Sequence, residues 1–217
     1  MVDVPQSVVV AVLTRAPSRG GKSRLFASLG CPYDAALVSA LLLDTIDGAS
    51  LTGTRCIVAV DPPDGCSEVR ALLPGDVRVI AQADGSLGDR MRAAMREVLA
   101  DGDTAVVVIG SDLPDITPAV IERAVSHLAR DPASLVLGPA TDGGYYLMAA
   151  TRVPDVFEGI EWGSPRVLQQ TEAAAARCGL RVHLVEPLRD VDTAEDLQLV
   201  VAPRTRAWVT AHRRWSA

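Results

Sequence analysis

Short runs of β-branched and aliphatic residues recur along the chain, separated by longer segments rich in alanine and leucine. Extended apolar stretches alternating with helix-length segments are the pattern of an α/β protein whose sheet is largely parallel. The runs predict strands over residues 8–13, 56–60, 77–80, 105–109, 134–137, 145–149 and 182–185. Between them, Leu87, Met91, Ala94, Met95, Val98 and Leu99 recur at helical spacing behind Ser86 and Asp89, which are placed as a capping box. Thr117-Pro118 and Ser164-Pro165 each set a hydroxyl before a proline suited to the first helical position, and Gly179 stands where a helix would end. Thr193 with Asp196 repeats the capping box before a final helix.

The chain has 217 residues, 48% hydrophobic and 22% charged, a globular balance and enough length for one large domain with a real core. No internal repeat, proline-rich linker or long charge block marks a second domain. The longest apolar runs, at 8–13 and 105–109, are far short of the roughly 20 residues that span a bilayer. Asp3 replaces the basic start of a signal peptide, so the expected compartment is the cytoplasm. Cys31, Cys56, Cys66 and Cys178 lack Cys-x-x-Cys spacing and read as ordinary residues.

A net charge of −6 argues against nucleic acid as a partner, because counterion release needs a cationic surface. Residues 203–217 are the exception, a basic C-terminal tail with Arg204, Arg206, Arg213 and Arg214, no acid, and Trp208 and Trp215 interleaved. The expected form is a docked helix that buries its tryptophans while its arginines stay solvated.

Ligands of open α/β sheets sit beyond the carboxyl ends of the strands, so the loops leaving each strand are the place to seek chemistry. The first strand runs into RAPSRGGKSRL, residues 15–25, where Gly20 and Gly21 permit close backbone approach and Arg15, Arg19, Lys22 and Arg24 supply positive charge for a phosphate. Ala16 stands where a Walker motif needs glycine, so that motif is excluded. The fourth strand ends in IGSDLPDI, which places Asp112 just past the sheet edge, and PLRDVDTAEDL sets Asp190 and Asp192 before the last helix. Carboxylates from separate loops meeting opposite a phosphate loop suit a hard Mg²⁺ or Mn²⁺ ion; singly, each of the three could be a turn former or support for a cap. LGPATDGGYYL, residues 137–147, offers Gly143 and Gly144 N–H groups and the Asp142 carboxylate to a ligand, or is a tight turn into an edge strand. Tyr145 and Tyr146 point to opposite faces of that strand, so one of them belongs to the core. Gly-x-Ser-x-Gly, Gly-x-Gly-x-x-Gly and His-Glu-x-x-His are all absent, and His127, His183 and His212 lie away from the glycine-rich loops.

These motifs, with QADGSLGDRM at 82–91 and FEGIEWGSPRVL at 157–168, resemble in order a bacterial family of small GT-A-like transferases. That family belongs to the nucleotide-diphospho-sugar transferase superfamily and is often described as glycosyltransferases. Ser23 departs from the family's usual threonine, and Ser86 replaces an acid in its Gly-Asp-Leu-Gly stretch. The resemblance covers most of the chain. It implies a Rossmann-like GT-A fold, a single three-layer α/β domain with a mostly parallel mixed sheet over residues 1–202. It further implies a divalent metal at Asp112 completed by Asp190 or Asp192, nucleotide phosphates against Arg15, Gly21, Lys22 and Arg24, and Gln82 near the base. Lys-Ser-Arg-Leu and Asp-Val-Asp-Thr also look like elements of phospholactate guanylyltransferases.

The leading expectation is a metal-dependent transferase that uses a nucleotide sugar and a small-molecule acceptor, with Lys22, Asp112 and Asp142 carrying the chemistry. Asp142, Gly143, Gly144, Tyr145 and Trp162 would line the substrate site, Trp162 as an apolar wall or a simply packed residue. The alternatives are nucleotidyl transfer from a nucleoside triphosphate to a phosphorylated acid, and a nucleotide-binding module without chemistry. Base, sugar, acceptor, stereochemical outcome and oligomeric state are not encoded in motif spacing.

Overall fold

The computed structural model describes residues 7–50 and 54–212. Arg213, Arg214 and Trp215 of the tail lie outside the described residues. In chain order the elements are β1 (Val8–Arg15), α1 (Ser23–Leu29), α2 (Ala35–Ala49), β2 (Thr54–Asp61), α3 (Cys66–Leu72), β3 (Arg78–Ala81), α4 (Leu87–Ala100) and β4 (Ala105–Gly110). There follow α5 (Pro118–Arg130), β5 (Leu135–Pro139), β6 (Tyr145–Ala150), α6 (Val167–Arg177), β7 (Val182–Leu184), α7 (Ala194–Leu199) and α8 (Pro203–Ala211).

The sheet order is β3-β2-β1-β4-β6-β5-β7. β6 runs antiparallel to both β4 and β5, and the remaining pairings are parallel. This is the mixed sheet of a three-layer α/β domain. Strand alternation divides β1 between two cores: Val8, Val10 and Val12 pack with α2, α3 and α5, while Val9, Ala11 and Leu13 pack with α4 and α6. Strands buried on both faces read as continuous apolar runs, which is why they stand out in the sequence.

A third cluster is separate from the sheet. Leu25, Phe26 and Leu29 of α1, Leu37 and Leu41 of α2, Val191, Leu197 and the α8 pair Trp208 and Val209 bury one another. The Trp208 indole N–H donates to Asp34 Oδ2 at 2.8 Å. Arg204 corrects the expectation of solvated arginines: its guanidinium donates to Asp44 at 3.2 Å and Asp47 at 2.6 Å, and the buried Asp44 carboxylate also accepts the Arg204 and Thr205 N–H groups. A buried carboxylate at the start of α8 needs these donors, so the arginine is drawn in.

The capping boxes Ser86/Asp89 and Thr193/Asp196 form as their spacing predicts. Thr117 stands at the start of α5 without capping through its hydroxyl. Ser164-Pro165 does not open α6: the helix starts at Val167, because Ser164–Arg166 turns back to close against the loop after β5, where Leu168 N–H donates to the Gly143 carbonyl at 3.0 Å. Among the described residues no helix is long and apolar enough to cross a membrane.

Candidate active site

Beyond Arg15 the chain turns through Ala16, fully buried against Gly65, and Pro17–Arg19, where the Ser18 N–H donates to Glu68 at 2.8 Å. Gly20, Gly21 and Lys22 follow with φ of 74°, 113° and 50°. Three left-handed residues in succession reverse the chain. For Lys22 that conformation costs on the order of 1 kcal/mol, which marks the position as one held by its side chain. The Lys22 ammonium lies 2.5 Å from Asp112 Oδ2 and 2.9 Å from Asp192 Oδ1.

The backbone brings the two carboxylate loops together. Val191 N–H donates to the Asp112 carbonyl at 3.0 Å, and Leu113 N–H donates to the buried Thr45 hydroxyl at 3.0 Å. Val191 is buried in the third cluster, so its neighbours Asp190 and Asp192 turn the other way, toward Asp112. One oxygen from each of the three aspartates lies within 4.8 Å of the others. Arg24 approaches Asp192 at 3.7 Å from an exposed position.

Burial and the neighbouring Asp112 charge push the Asp190 carboxyl up to about 6. Burial works against the charge of Lys22, but Asp112 and Asp192 outweigh it and hold the ammonium above its ordinary range. An acid raised from 3.8 to about 6 binds more protons folded than unfolded, so its contribution to stability is whole below pH 4 and is lost as pH rises through 6. The displacement corresponds to roughly 3 kcal/mol, and the partial exposure of Asp190 reduces this to about 1 kcal/mol. Asp190→Asn is therefore expected to raise the stability of the metal-free protein by about 1 kcal/mol at pH 8 and to change it little at pH 4, as denaturant melts at the two pH values would report.

Three hard oxygen donors from two loops, with one carboxyl held up by burial and by the Asp112 charge, are a donor set that fits Mg²⁺ or Mn²⁺. Asp112, Asp190 and Asp192 would hold such an ion, which would supply positive charge to a bound phosphate. The Lys22 ammonium now supplies the positive charge among these carboxylates.

Beside the cluster is a cavity of about 310 Å³ at the carboxyl ends of β1 and β4. Asp112, Asp142 and Asp190 form its polar side, and Leu87, Met91, Tyr145 and Trp162 its apolar wall. Tyr145 and Trp162 meet edge to face with centroids 6.4 Å apart, and burial pushes the Tyr145 phenol above its ordinary range. Tyr146 is the core member of the pair, its hydroxyl donating to the Glu186 carbonyl at 2.8 Å. Trp162 fits against Gly88, where an added Cβ would lie 2.7 Å from the indole. Gly88→Ala should accordingly displace Trp162 and shift its fluorescence emission, at a net cost of about 1 kcal/mol in a thermal melt; an unmoved emission maximum would contradict this packing.

The Gly143 and Gly144 N–H groups differ from expectation. They donate inside the turn, to the Ala140 carbonyl at 3.3 Å and to Asp142 Oδ1 at 2.9 Å. Gly143, at φ 90°, is needed for close approach, since a Cβ there would lie 2.2 Å from the Pro165 carbonyl oxygen. Gln82 is likewise engaged, its amide donating to the Thr14 and Ala59 carbonyls at 2.9 Å each. It stands apart from the carboxylate cluster, in a second cavity with Arg90. Arg15 is exposed, 3.9 Å from Asp61, which also pairs with Arg90 at 3.0 Å. Asp61 and Arg90 escape sequence reading although Asp61 ends a strand, a position that could have flagged it. Leu87 and Met91 read as helix core and give no sign of lining a cavity.

The chain matches over 96% of its length, and over 96% of its counterpart, a candidate nucleotide-diphospho-sugar transferase from Desulfovibrio desulfuricans G20, with TM-score 0.83 and 29% identity. A nucleotidyl transfer enzyme from Methanothermobacter thermautotrophicus matches 96% of this chain and 97% of its own at TM-score 0.60 and 20% identity. The 4-diphosphocytidyl-2C-methyl-D-erythritol synthase of Anaerococcus prevotii DSM 20548 matches 94% of this chain and 97% of its own at TM-score 0.58 and 12% identity. The last two share the fold alone. More than half of the chain, residues 45–164, matches a family described as an uncharacterized protein conserved in bacteria, and the protein is a member of that family, DUF2064.

Proposed function

We propose that this protein is a metal-dependent glycosyltransferase acting on a nucleotide-activated sugar. The observation that carries the reading is the meeting of Asp112, Asp190, Asp192 and Lys22 at the rim of a cavity with an apolar far wall. Asp112, Asp190 and Asp192 would hold Mg²⁺ or Mn²⁺, which when bound offsets the charge of the departing diphosphate. Lys22 would turn from the carboxylates to the donor's phosphates, joined by Arg24 at the start of α1 and Arg15 at the end of β1. The sugar would lie on the carboxylate side of the cavity, leaving Tyr145 and Trp162 to the acceptor. An acceptor hydroxyl would attack the anomeric carbon as the bond to the diphosphate oxygen breaks, with Asp142 placed to orient the hydroxyl and take its proton.

Nucleotidyl transfer is the second reading, favoured by the direct contact of Lys22 with the carboxylate cluster, which would set its charge against an α-phosphate. Thermal melts with Mg²⁺ or Mn²⁺ against nucleotide sugars and nucleoside triphosphates separate the two, because a ligand bound only by the folded state raises the melting temperature. Stabilisation by a nucleotide sugar with release of nucleoside diphosphate is the expected result. A triphosphate preference with pyrophosphate release would transfer the assignment to the second reading, and no metal-dependent stabilisation by either would overturn both.

A further inference from the structure

The charge of the cavity selects its second occupant. Asp112, Asp142 and Asp190 line it, and no lysine, arginine or histidine does so among the described residues. Three arginines next to its lining residues, Arg90, Arg92 and Arg166, are engaged elsewhere. Arg90 pairs with Asp61 at 3.0 Å, Arg92 lies over the Phe157 ring at 5.3 Å and approaches Asp89 at 3.8 Å, and Arg166 pairs with Glu161. A divalent ion would offset Asp112 and Asp190, and Lys22 faces Asp112 from the loop side. Asp142 stands outside that compensation: it accepts the Gly144 N–H and makes no ion pair among the described residues. Opposite the carboxylates, Leu87 keeps 48% of its surface exposed at the end of the apolar wall.

We infer that the acceptor of this site is a small molecule without negative charge, neutral or cationic, presenting a hydroxyl or amine on an apolar or aromatic body. The inference rests on the transferase reading above and deepens it by naming the substrate class. A phosphorylated or carboxylated acceptor would bring its charge against Asp142 with no cation to pair with, and would leave its oxyanion desolvated against Leu87 and Trp162. A hydroxyl or ammonium group donates to Asp142 while its apolar body covers the tyrosine and tryptophan faces. Asp142 is thereby the residue that sets specificity by repulsion as well as by attraction.

The test uses four probes of matched shape, benzyl alcohol, benzylamine, benzoate and phenyl phosphate, added to the full chain with Mg²⁺. The readout is the ¹⁹F resonance of 5-fluorotryptophan at position 162, assigned by its loss in Trp162→Phe. Benzyl alcohol and benzylamine are expected to move that resonance, benzoate and phenyl phosphate to bind at least tenfold more weakly, and Asp142→Lys to reverse the order. Anionic probes that bind as tightly as benzyl alcohol, or four probes that leave the resonance unmoved, would overturn the inference. Thermal melts with Mg²⁺ and nucleotide sugars on the same samples keep the two readings apart. Nucleotide binding without the expected probe order sinks the acceptor class alone, and the probe order without nucleotide binding sinks the transferase reading alone.

Discussion

Asp112→Asn will leave the fold standing and weaken metal-dependent nucleotide binding by on the order of a hundredfold, about 2.7 kcal/mol. The substitution keeps the shape of the side chain and the backbone carbonyl that accepts the Val191 N–H, so the two loops remain joined. What it removes is a charged oxygen, one of three, from a donor set that works by charge. It also takes the nearest partner from Lys22 and relieves Asp190 of the neighbour that, after burial, raises its carboxyl most. These two effects on stability have opposite signs, so the melting temperature of the metal-free protein should move by only about 2 °C. Mn²⁺ titration calorimetry with and without a bound nucleotide measures the first effect, and thermal melts measure the second. Wild-type affinity in a folded Asp112→Asn variant would remove the metal assignment.

Lys22→Met should split binding in two directions. The ammonium is largely buried among carboxylates, and without it their repulsion is uncompensated, which costs about 2 kcal/mol of stability in the metal-free protein. A divalent ion then meets an emptier and more negative site, so Mn²⁺ alone should bind several-fold more tightly than to wild type. Nucleotide phosphates lose their cation, and their affinity in the presence of Mn²⁺ should fall at least tenfold. Lys22→Gly serves as the companion variant: it removes the same charge but relieves the left-handed backbone, so its melting temperature should lie above that of Lys22→Met. If both metal and nucleotide bind less tightly, Lys22 supports the loop and does not exchange places with the ion.

The strands were legible because burial on both faces leaves uninterrupted aliphatic runs, and their ends shift by only a few residues, as at β5, which continues to Pro139. The order of the sheet was not legible. The placement of β6 between β4 and β5 depends on long-range pairing, to which Tyr145–Ala150 gives no local clue. Helix α2 was not legible: its apolar residues face both α8 and the sheet, which blurs the period, and its start shows only in the structure, where the Asp34 carboxylate accepts the Ala36 N–H. Among the site residues, the approach of Asp112 to Asp190 and Asp192 follows from strand-end logic. The position of Lys22 does not, because motif spacing says which residues are basic but not that carboxylates would claim one of them. The same limit applies to Gly143 and Gly144: a glycine pair reads as free N–H groups until the Ala140 carbonyl and the Asp142 side chain are seen to occupy them.

The small cluster apart from the sheet has a further consequence. Lys22 leads directly into α1 and the buried Val191 sits between Asp190 and Asp192, so the cation-handling half of the site hangs on Leu25, Phe26, Val191, Leu197 and Trp208 and not on the two large cores. A cluster of that size releases at a lower free energy than the sheet, and its helices would breathe together as one cooperative unit. On warming, the protein would lose its carboxylate geometry while the sheet and the aromatic wall persisted. The ceiling on its working temperature is therefore set by the anchorage of α8 on α2, two helices that themselves contribute no residue to the carboxylate cluster.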